Sequence, residues 1–245
     1  MLTQLRELDR LAPRQRPAGR PLMHQNWGKL LFMHWRIEPE RLRALIPAGL
    51  EIETFDNSAW IAIVPFTMWN TRPSFLPPVR GLSAMHELNV RTYVHYNGVP
   101  GVWFFSLDCT SSVAVMAARK FYHLPYYNAD IDLQQADHSI QYSLTRTDGP
   151  PANFQASWRI GNRHNEFATD SLEFFLTERY CLYSEHNGNL YRAHIHHEPW
   201  PLAQAELDSF SPTMFEPIGI QTPAHQPLLH YAEEIKVEIW RLRKL

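Results

Sequence analysis

The sequence predicts a β-dominated α+β fold, in which a curled, mostly antiparallel and barrel-like sheet carries a few outer helices. About ten segments have the apolar and polar alternation or the β-branched and aromatic content of strands, whereas only three or four short stretches read as helices. Regular strand–helix–strand spacing is absent, which argues against a parallel doubly wound sheet. The 245 residues, 44% of them hydrophobic, are enough to form a large core.

The predicted elements follow one another with short breaks. Strands are expected over residues 30–37, 50–55, 59–69, 86–96, 99–108, 128–133, 140–146, 154–160, 181–185, 190–196 and 235–243. A helix over 39–46 has proline at its first position, a second over 110–122 is capped by Asp108 or Thr110, and a third opens at Asp170-Ser171. Residues 70–85 carry several prolines and form a long loop, of the kind that often covers a pocket.

We expect an N-terminal arm over residues 1–26 and a single domain over residues 27–245, because no repeat or change in composition marks a second domain. The leucines at positions 2, 5, 8 and 11 are spaced as in a short amphipathic helix. Prolines at positions 13, 17 and 21 would end that helix.

Composition restricts the partners and the compartment. The net charge of −2 gives no excess of positive charge for nucleic acid or an anionic membrane. No secretory signal and no apolar run of ~20 residues is visible. Two cysteines, Cys109 and Cys181, favour reduced thiols. We therefore expect a cytoplasmic protein without a cofactor that binds a small molecule; the oligomeric state, including a homo-oligomer, stays open.

The segment from His86 to Tyr127 is the expected location of any chemical site. Asn97-Gly98 predicts a tight hairpin turn, because both central residues of a type I′ turn need positive φ. This turn pairs four residues of the first strand with four of the second, namely Tyr93 with Val102, Arg91 with Phe104, Asn89 with Ser106 and Glu87 with Asp108. A bulge near Gly98-Val-Pro-Gly would shift the pairing by one.

One face of this hairpin is mixed in chemistry. The other face is apolar and belongs to the core, but this one carries Glu87, Asn89, Arg91, Asp108 and an aromatic wall from Phe104. It is either a solvated sheet face or the wall of a small-molecule pocket, and we favour the pocket because converging polar groups beside an aromatic wall suit ligand binding. Arg119, on the following helix, either clamps a carboxylate or forms a structural ion pair with Asp108 or Glu87. Arg179 carries the same two alternatives, with the structural pair favoured.

Other chemistries have weaker signals. His194 and His196 share one strand face, as metal ligands would, but no further ligand is dictated, so we expect no metal. Cys109 lies beside a helix N-terminus, where a thiolate is favoured, yet buried packing is the more common role. No nucleophile elbow, phosphate-binding loop or dinucleotide fingerprint occurs.

The stretch from Trp27 to Leu202 resembles the uncharacterised YqjF-like family, domain of unknown function 2071. The resemblance rests on ordered segments, among them LLFMHW, LIPAGLEIETFDNSAWIAIVPF, ELNVRTYV, GVPGVWFFSLD, AARKFYHLPYYNADI, FLTERYCLY and HHEPWPL. That family is similar in fold to acetoacetate decarboxylase, which implies a curled sheet that encloses a pocket.

The resemblance also implies that one reaction is lost. Acetoacetate decarboxylase forms a Schiff base through a lysine that follows a proline, and Arg119 and Pro125 match its pattern, but Tyr126 and Tyr127 occupy the lysine positions. Lys120 is a weak substitute. We therefore expect no Schiff-base decarboxylation, with Tyr126 as a phenolic donor or acid and Glu87, at the place of a strand glutamate of that enzyme, as a base.

Two functions follow from these expectations. In the first, Glu87 and Tyr126 perform proton transfer on a small carboxylate- or carbonyl-bearing molecule that Arg91, Arg119, Asn89 and Asp108 bind. In the second, the protein is a non-catalytic ligand sensor or interaction module of the same fold.

Overall fold

A computed structural model describes residues 8–78, 83–164 and 166–245. The strands of this part are β1 Met23–Ile37, β2 Glu51–Ile52, β3 Ala59–Pro73, β4 Met85–Tyr96, β5 Val99–Cys109, β6 Tyr126–Ala136, β7 Ser139–Arg146, β8 Asn153–Arg163, β9 Cys181–His186, β10 Asn189–His197, β11 Leu202–Pro212, β12 Leu228–Ile239 and β13 Arg243–Lys244. Its α-helices are α1 Pro39–Arg43, α2 Ser112–Tyr122 and α3 Leu172–Thr177. No helix of these ranges is long and apolar enough to cross a membrane.

All thirteen strands belong to one mixed sheet that curls partly into a ring. Hydrogen-bonded pairing runs from β10 through β9, β5, β4, β3, β1 and β12, and β12 pairs again with β10. Most neighbours are antiparallel, and β5 runs parallel to both β6 and β9. The predicted α+β, β-dominated fold class with a curled sheet is therefore confirmed.

The strands that form this ring also separate two hydrophobic clusters. Side chains alternate along β4, so that Leu88, Val90 and Val94 join a packed core with strands β6 to β8, while Tyr93 joins the cluster inside the ring. Strands β1 and β3 also contribute buried residues alternately to the two clusters. As a result, one face of β4 supports the core and the other faces the interior of the ring.

The β4–β5 hairpin turns at Asn97-Gly98, where both residues have positive φ as predicted. The predicted pairs Tyr93–Val102 and Arg91–Phe104 are confirmed. The two pairs further from the turn are wrong, because a bulge at Phe105 makes Asn89 lie opposite Leu107 and Glu87 opposite Cys109. The extra residue turns Leu107 into the ring and Asp108 away from it.

Several element boundaries differ from the prediction. The strand β11 was missed, since its flanking prolines suggested an irregular segment. Helix α2 is capped by Ser111 rather than by Asp108 or Thr110, and its hydroxyl accepts from the Ala114 N–H over 3.3 Å. Strand β1 begins inside the predicted arm, at Met23. Residues 1–7 and 79–82, with most of the predicted N-terminal helix and part of the predicted loop, lie outside the described residues.

Candidate functional site

A cavity of about 570 Å³ lies inside the ring of strands. That volume falls in the range of ~300–1,000 Å³ that is usual for small-molecule sites. Most of its lining is apolar and comes from β1, β3, β5, β9, β10, β12 and α2, including Trp27, Leu30, Val64, Phe66, Met68, Val102, Phe104, Leu107, Ala118, Leu124, Leu182, Ile195, Trp200 and Ile239.

The polar lining is concentrated on strand β4. Glu87, Asn89 and Arg91 lie at alternate positions of this strand, so their side chains project from the same face into the cavity. Tyr126, at the start of β6, reaches the same space. Four of the six predicted site residues thus line one cavity. The remaining polar lining includes Gln25, Thr71, Ser111, Thr177, Arg179 and His197.

Glu87 is the buried carboxyl group of the cavity, with 2% of its surface exposed. Its Oε2 accepts a hydrogen bond from the Tyr126 hydroxyl over 2.8 Å. Burial raises the pKa of Glu87 to about 8, although hydrogen bonds from Tyr126 and Asn89 oppose the rise. Burial and the Glu87 carboxyl also raise the pKa of Tyr126 well above its usual value. Both groups of this pair therefore keep their protons near neutral pH.

Arg91 is the cation of the cavity that lacks an anionic partner in the described chain. Its side chain is 9% exposed, and neither Nε nor Nη2 has a hydrogen-bond partner among the described residues. The guanidinium lies over the Phe32 ring at 5.2 Å and the Tyr93 ring at 5.8 Å. Aromatic faces stabilise a cation only weakly, so the buried guanidinium retains its capacity to bind an anion.

Arg179 also lines the cavity, but its charge is compensated. Its Nη1 bonds the buried carboxylate of Glu53, which also accepts a hydrogen bond from Arg10 Nε over 2.8 Å. Its Nε donates to the Phe175 carbonyl over 2.6 Å. This ion pair supports the structural alternative for Arg179, although its Nη2 has no hydrogen-bond partner among the described residues.

His197 reaches the cavity although sequence reasoning assigned it no role. Its Nδ1 lies 2.7 Å from the Glu198 carbonyl oxygen, and its ring stacks on Tyr180. Burial lowers the pKa of His197, so the ring is neutral near pH 7. Successive side chains of β10 point to opposite faces, so His197 lies on the face opposite to His194 and His196. The sequence of this segment does not indicate which of the two faces points into the ring.

Two predicted site residues lie elsewhere. Arg119 is on the outer side of α2, where it donates to the Tyr126 carbonyl over 2.7 Å and to Asp148 over 3.0 Å. Its side chain is 45% exposed, so it does not reach the cavity. Asp108 is fully buried on the other side of β5 and accepts hydrogen bonds from Nε and Nη2 of Arg146 over 2.6 and 2.8 Å. The bulge in β5 is the reason that Asp108 faces away.

The cavity-lining residues of the described part include no lysine. Lys120 lies on the exposed surface of α2. Cys109 is buried, and burial raises the pKa of its thiol to about 12, which disfavours a thiolate nucleophile. Among the residues with described positions, no three His, Cys, Asp or Glu side chains gather as a metal ion requires.

The cavity reaches the protein surface beside α2. Phe75, Val113 and Phe121 line it and are 68%, 59% and 63% exposed. Cys109 at the end of β5 pairs with Glu87, so α2, which begins three residues later, lies at the Glu87 end of β4. Glu87 is therefore closer to this opening along β4 than Arg91 is.

Solved structures share this architecture at low sequence identity. The enduracididine biosynthesis enzyme MppR in complex with pyruvate superposes with a TM-score of 0.64 and 12% identity, over 92% of this chain and 91% of that one. An acetoacetate decarboxylase-like enzyme from Sphingomonas wittichii RW1 gives 0.63 and 12%, over 93% and 94%. Acetoacetate decarboxylase from Legionella pneumophila gives 0.62 and 13%, over 94% and 88%. These similarities establish a common fold.

Sequence comparison identifies a relative of higher identity. The uncharacterized protein YqjF of Bacillus subtilis (strain 168) is 42% identical over 228 residues, which cover 93% of this chain and 94% of that protein. Residues 24–236 match the profile of the family described as an uncharacterized conserved protein, domain of unknown function 2071. This match covers most of the chain, including most of the strands and most of the residues that line the cavity. The chain therefore belongs to the family of domain of unknown function 2071, within an acetoacetate decarboxylase-like fold.

Proposed function

We propose that the protein binds a small carboxylate- or carbonyl-bearing molecule in this cavity and transfers protons to or from it. The observation that carries the proposal is Arg91, a buried guanidinium with two nitrogen atoms unpaired among the described residues. A buried charge without a partner is costly, and a carboxylate would supply the missing hydrogen bonds. Two buried cysteines that form no disulfide support a cytoplasmic location.

Glu87 and Tyr126 are the proposed acid and base. A carboxyl group with a pKa of about 8 is close to the pH at which it would work, and so it can both donate and accept a proton. The Tyr126 hydroxyl, which donates its hydrogen bond to Glu87 in this structure, can instead donate it to a carbonyl oxygen of the ligand. These groups support proton exchange at a carbon next to a carbonyl, a reaction that needs no imine.

Keto acids are the first compounds to test, since a neighbour of the same fold was solved with pyruvate. The alternative, a non-catalytic sensor or interaction module, uses the same binding residues without turnover. This alternative is supported by the described lining, which contains no lysine. The resemblance to acetoacetate decarboxylase implies that the reaction of that enzyme needs such a lysine to form its Schiff base.

A thermal-shift screen of keto acids, hydroxy acids and lactones tests binding. A ligand at a hundred times its Kd should stabilise the wild type by about 2.7 kcal/mol. Arg91→Ala should abolish the shift, while Arg119→Ala, which removes an arginine outside the cavity, should retain it. If no compound shifts the folded wild type, or if both variants respond equally, the proposed site is wrong.

Deuterium exchange in D₂O separates enzyme from sensor. NMR should show catalysed exchange at the carbon next to the carbonyl of a bound ligand in the wild type, and Glu87→Gln should slow it by roughly 10²-fold or more. Binding with no catalysed exchange in the wild type would support the sensor.

A further inference from the structure

We propose that the ligand is a monocarboxylic acid with a long apolar body, bound with its carboxylate at Arg91 and its body directed past Glu87 to the opening beside α2. This inference rests on the proposed function and names its ligand class. It follows from where the cation lies, what covers the walls and what surrounds the opening.

The cation lies deep in the cavity. Arg91 is four residues beyond Glu87 on β4, which corresponds to a Cα separation of about 13–14 Å in an extended strand. The opening is at the Glu87 end, where the exposed lining residues of α2 lie. A ligand whose carboxylate binds Arg91 must therefore extend over the whole distance from Arg91 to Glu87 before the rest of its chain reaches solvent.

The walls that face this path from the other segments of the lining are apolar. They are formed by Trp27, Val64, Phe66, Met68, Val102, Phe104, Leu107, Leu124, Leu182, Ile195 and Ile239. A short polar acid would leave most of this surface in contact with trapped water. Each methylene group that replaces such water contributes favourably to binding, so the walls select for chain length.

The charge of the lining matches one carboxylate. Arg91 has no carboxylate partner in the described structure, whereas Arg179 pairs with Glu53, a carboxylate that it shares with Arg10, and keeps its Nη2 without a partner. Glu87 keeps its proton near neutral pH and so does not repel a bound anion. A second carboxylate at the far end of the ligand, away from Arg91 and Arg179, would lie against apolar walls, which disfavours long diacids.

The surroundings of the opening are also apolar. Phe75, Val113 and Phe121 line it, and nearby Leu76 and Met116 are 47% and 64% exposed. Exposed aromatic and aliphatic side chains gathered at one place usually mark a site of contact with an apolar partner. Here they extend the apolar wall of the cavity to the surface, where the end of a long chain would rest.

Isothermal titration calorimetry with a series of straight-chain carboxylates from acetate to decanoate, each below its micelle concentration, tests this proposal. Pyruvate and the matching primary alcohols are measured beside it. The Kd of the wild type should fall about 4-fold per added methylene, or about 0.8 kcal/mol, until the cavity is full. Arg91→Met should weaken every acid by roughly tenfold or more and leave the alcohols unchanged. Arg119→Gln is the matched control and should bind as the wild type does.

The outcomes separate this inference from the proposed function. If pyruvate and acetate bind as tightly as octanoate, and Arg91→Met weakens them all, the long apolar body is refuted while the carboxylate site stands. If the alcohols bind as tightly as the acids and Arg91→Met changes neither, both are refuted. If the folded wild type binds none of these compounds, both are again refuted; Arg91→Gln, a polar replacement, guards against a variant that fails to fold.

Discussion

The hydroxyl group of Tyr126 and the carboxyl group of Glu87 are joined by a hydrogen bond of 2.8 Å, although the residues lie 39 positions apart in the chain. The two strands that carry them, β6 and β4, are not neighbours, because β5 lies between them. The bond therefore forms only when β4, β5 and β6 are arranged as in this sheet, and its presence in solution would indicate that this part of the cavity is intact.

Glu87→Gln should change the pH dependence of folding stability. The pKa of Glu87 is raised from 4.5 to about 8 in the folded protein, so unfolding releases a proton between these values. The contribution of this group is fully present below about pH 4.5 and is lost as pH rises to about 8, by roughly 1.4 kcal/mol per pH unit. Urea unfolding at several pH values should show that the variant escapes this loss.

The matched control for that experiment is Glu206→Gln, which removes a carboxylate on the surface whose side chain is 71% exposed. Its stability should run parallel to that of the wild type over the same pH range. Parallel curves for Glu87→Gln as well would contradict a raised pKa at Glu87.

Tyr126→Phe should raise the pKa of Glu87 still further. The hydroxyl group stabilises the carboxylate form through its hydrogen bond, so its loss favours the neutral acid. NMR titration of the ¹³C-labelled glutamate carboxyl groups would follow the change. At pH 6, the lost bond should also cost about 1 kcal/mol of stability. An unchanged pKa would mean that the bond is not formed in solution.

The same replacement at two buried arginines should change the free energy of unfolding by very different amounts. Arg146→Met leaves the carboxylate of Asp108 buried without its partner and should cost about 3–5 kcal/mol of unfolding free energy. Arg91→Met removes a buried cation that has no carboxylate partner among the described residues, so it should cost less than about 1 kcal/mol or stabilise the protein. Chemical denaturation of both variants checks this, and a large loss for Arg91→Met would show that Arg91 has a structural role.

Tyr126→Lys should create an amine that forms an imine in the cavity. Burial lowers the pKa of a lysine and so increases its neutral, nucleophilic fraction. With pyruvate and borohydride, peptide mass spectrometry should find a reduced adduct at position 126 of the variant. The wild type, whose described lining contains no lysine, should give none there or in neighbouring peptides. An adduct on cavity peptides of the wild type would contradict the expected loss of Schiff-base chemistry.

Local signals explain which parts of the fold could be predicted. Asn97-Gly98 set the turn, and the pairs next to it were placed correctly. The bulge at Phe105 has no local signature in the sequence, and it turns Asp108 toward Arg146, which lies 38 positions away in the chain. The strand β11 was missed for a related reason, since its pairing with β8 outweighs the prolines beside it.

The site could be predicted only where it follows strand alternation. Glu87, Asn89 and Arg91 share a face because they alternate on one strand, and that was visible in the sequence. The side of α2 that faces the cavity was not visible, so Arg119 was placed there and lies outside. His197 was missed because its role depends on the closure of the ring by β10 and β12.

One face of strand β4 lies in the packed core and the other lines the cavity. Neighbouring residues of this strand are therefore under different evolutionary constraints, one for packing and one for the shape and charge of the cavity. Replacements at positions 88, 90 and 94 change the packed core, whereas replacements at 87, 89 and 91 change the lining of the cavity. Relatives that have diverged in ligand should therefore differ at every second residue of this strand. Selection can thus retune the cavity through these positions while the intervening residues keep the fold unchanged.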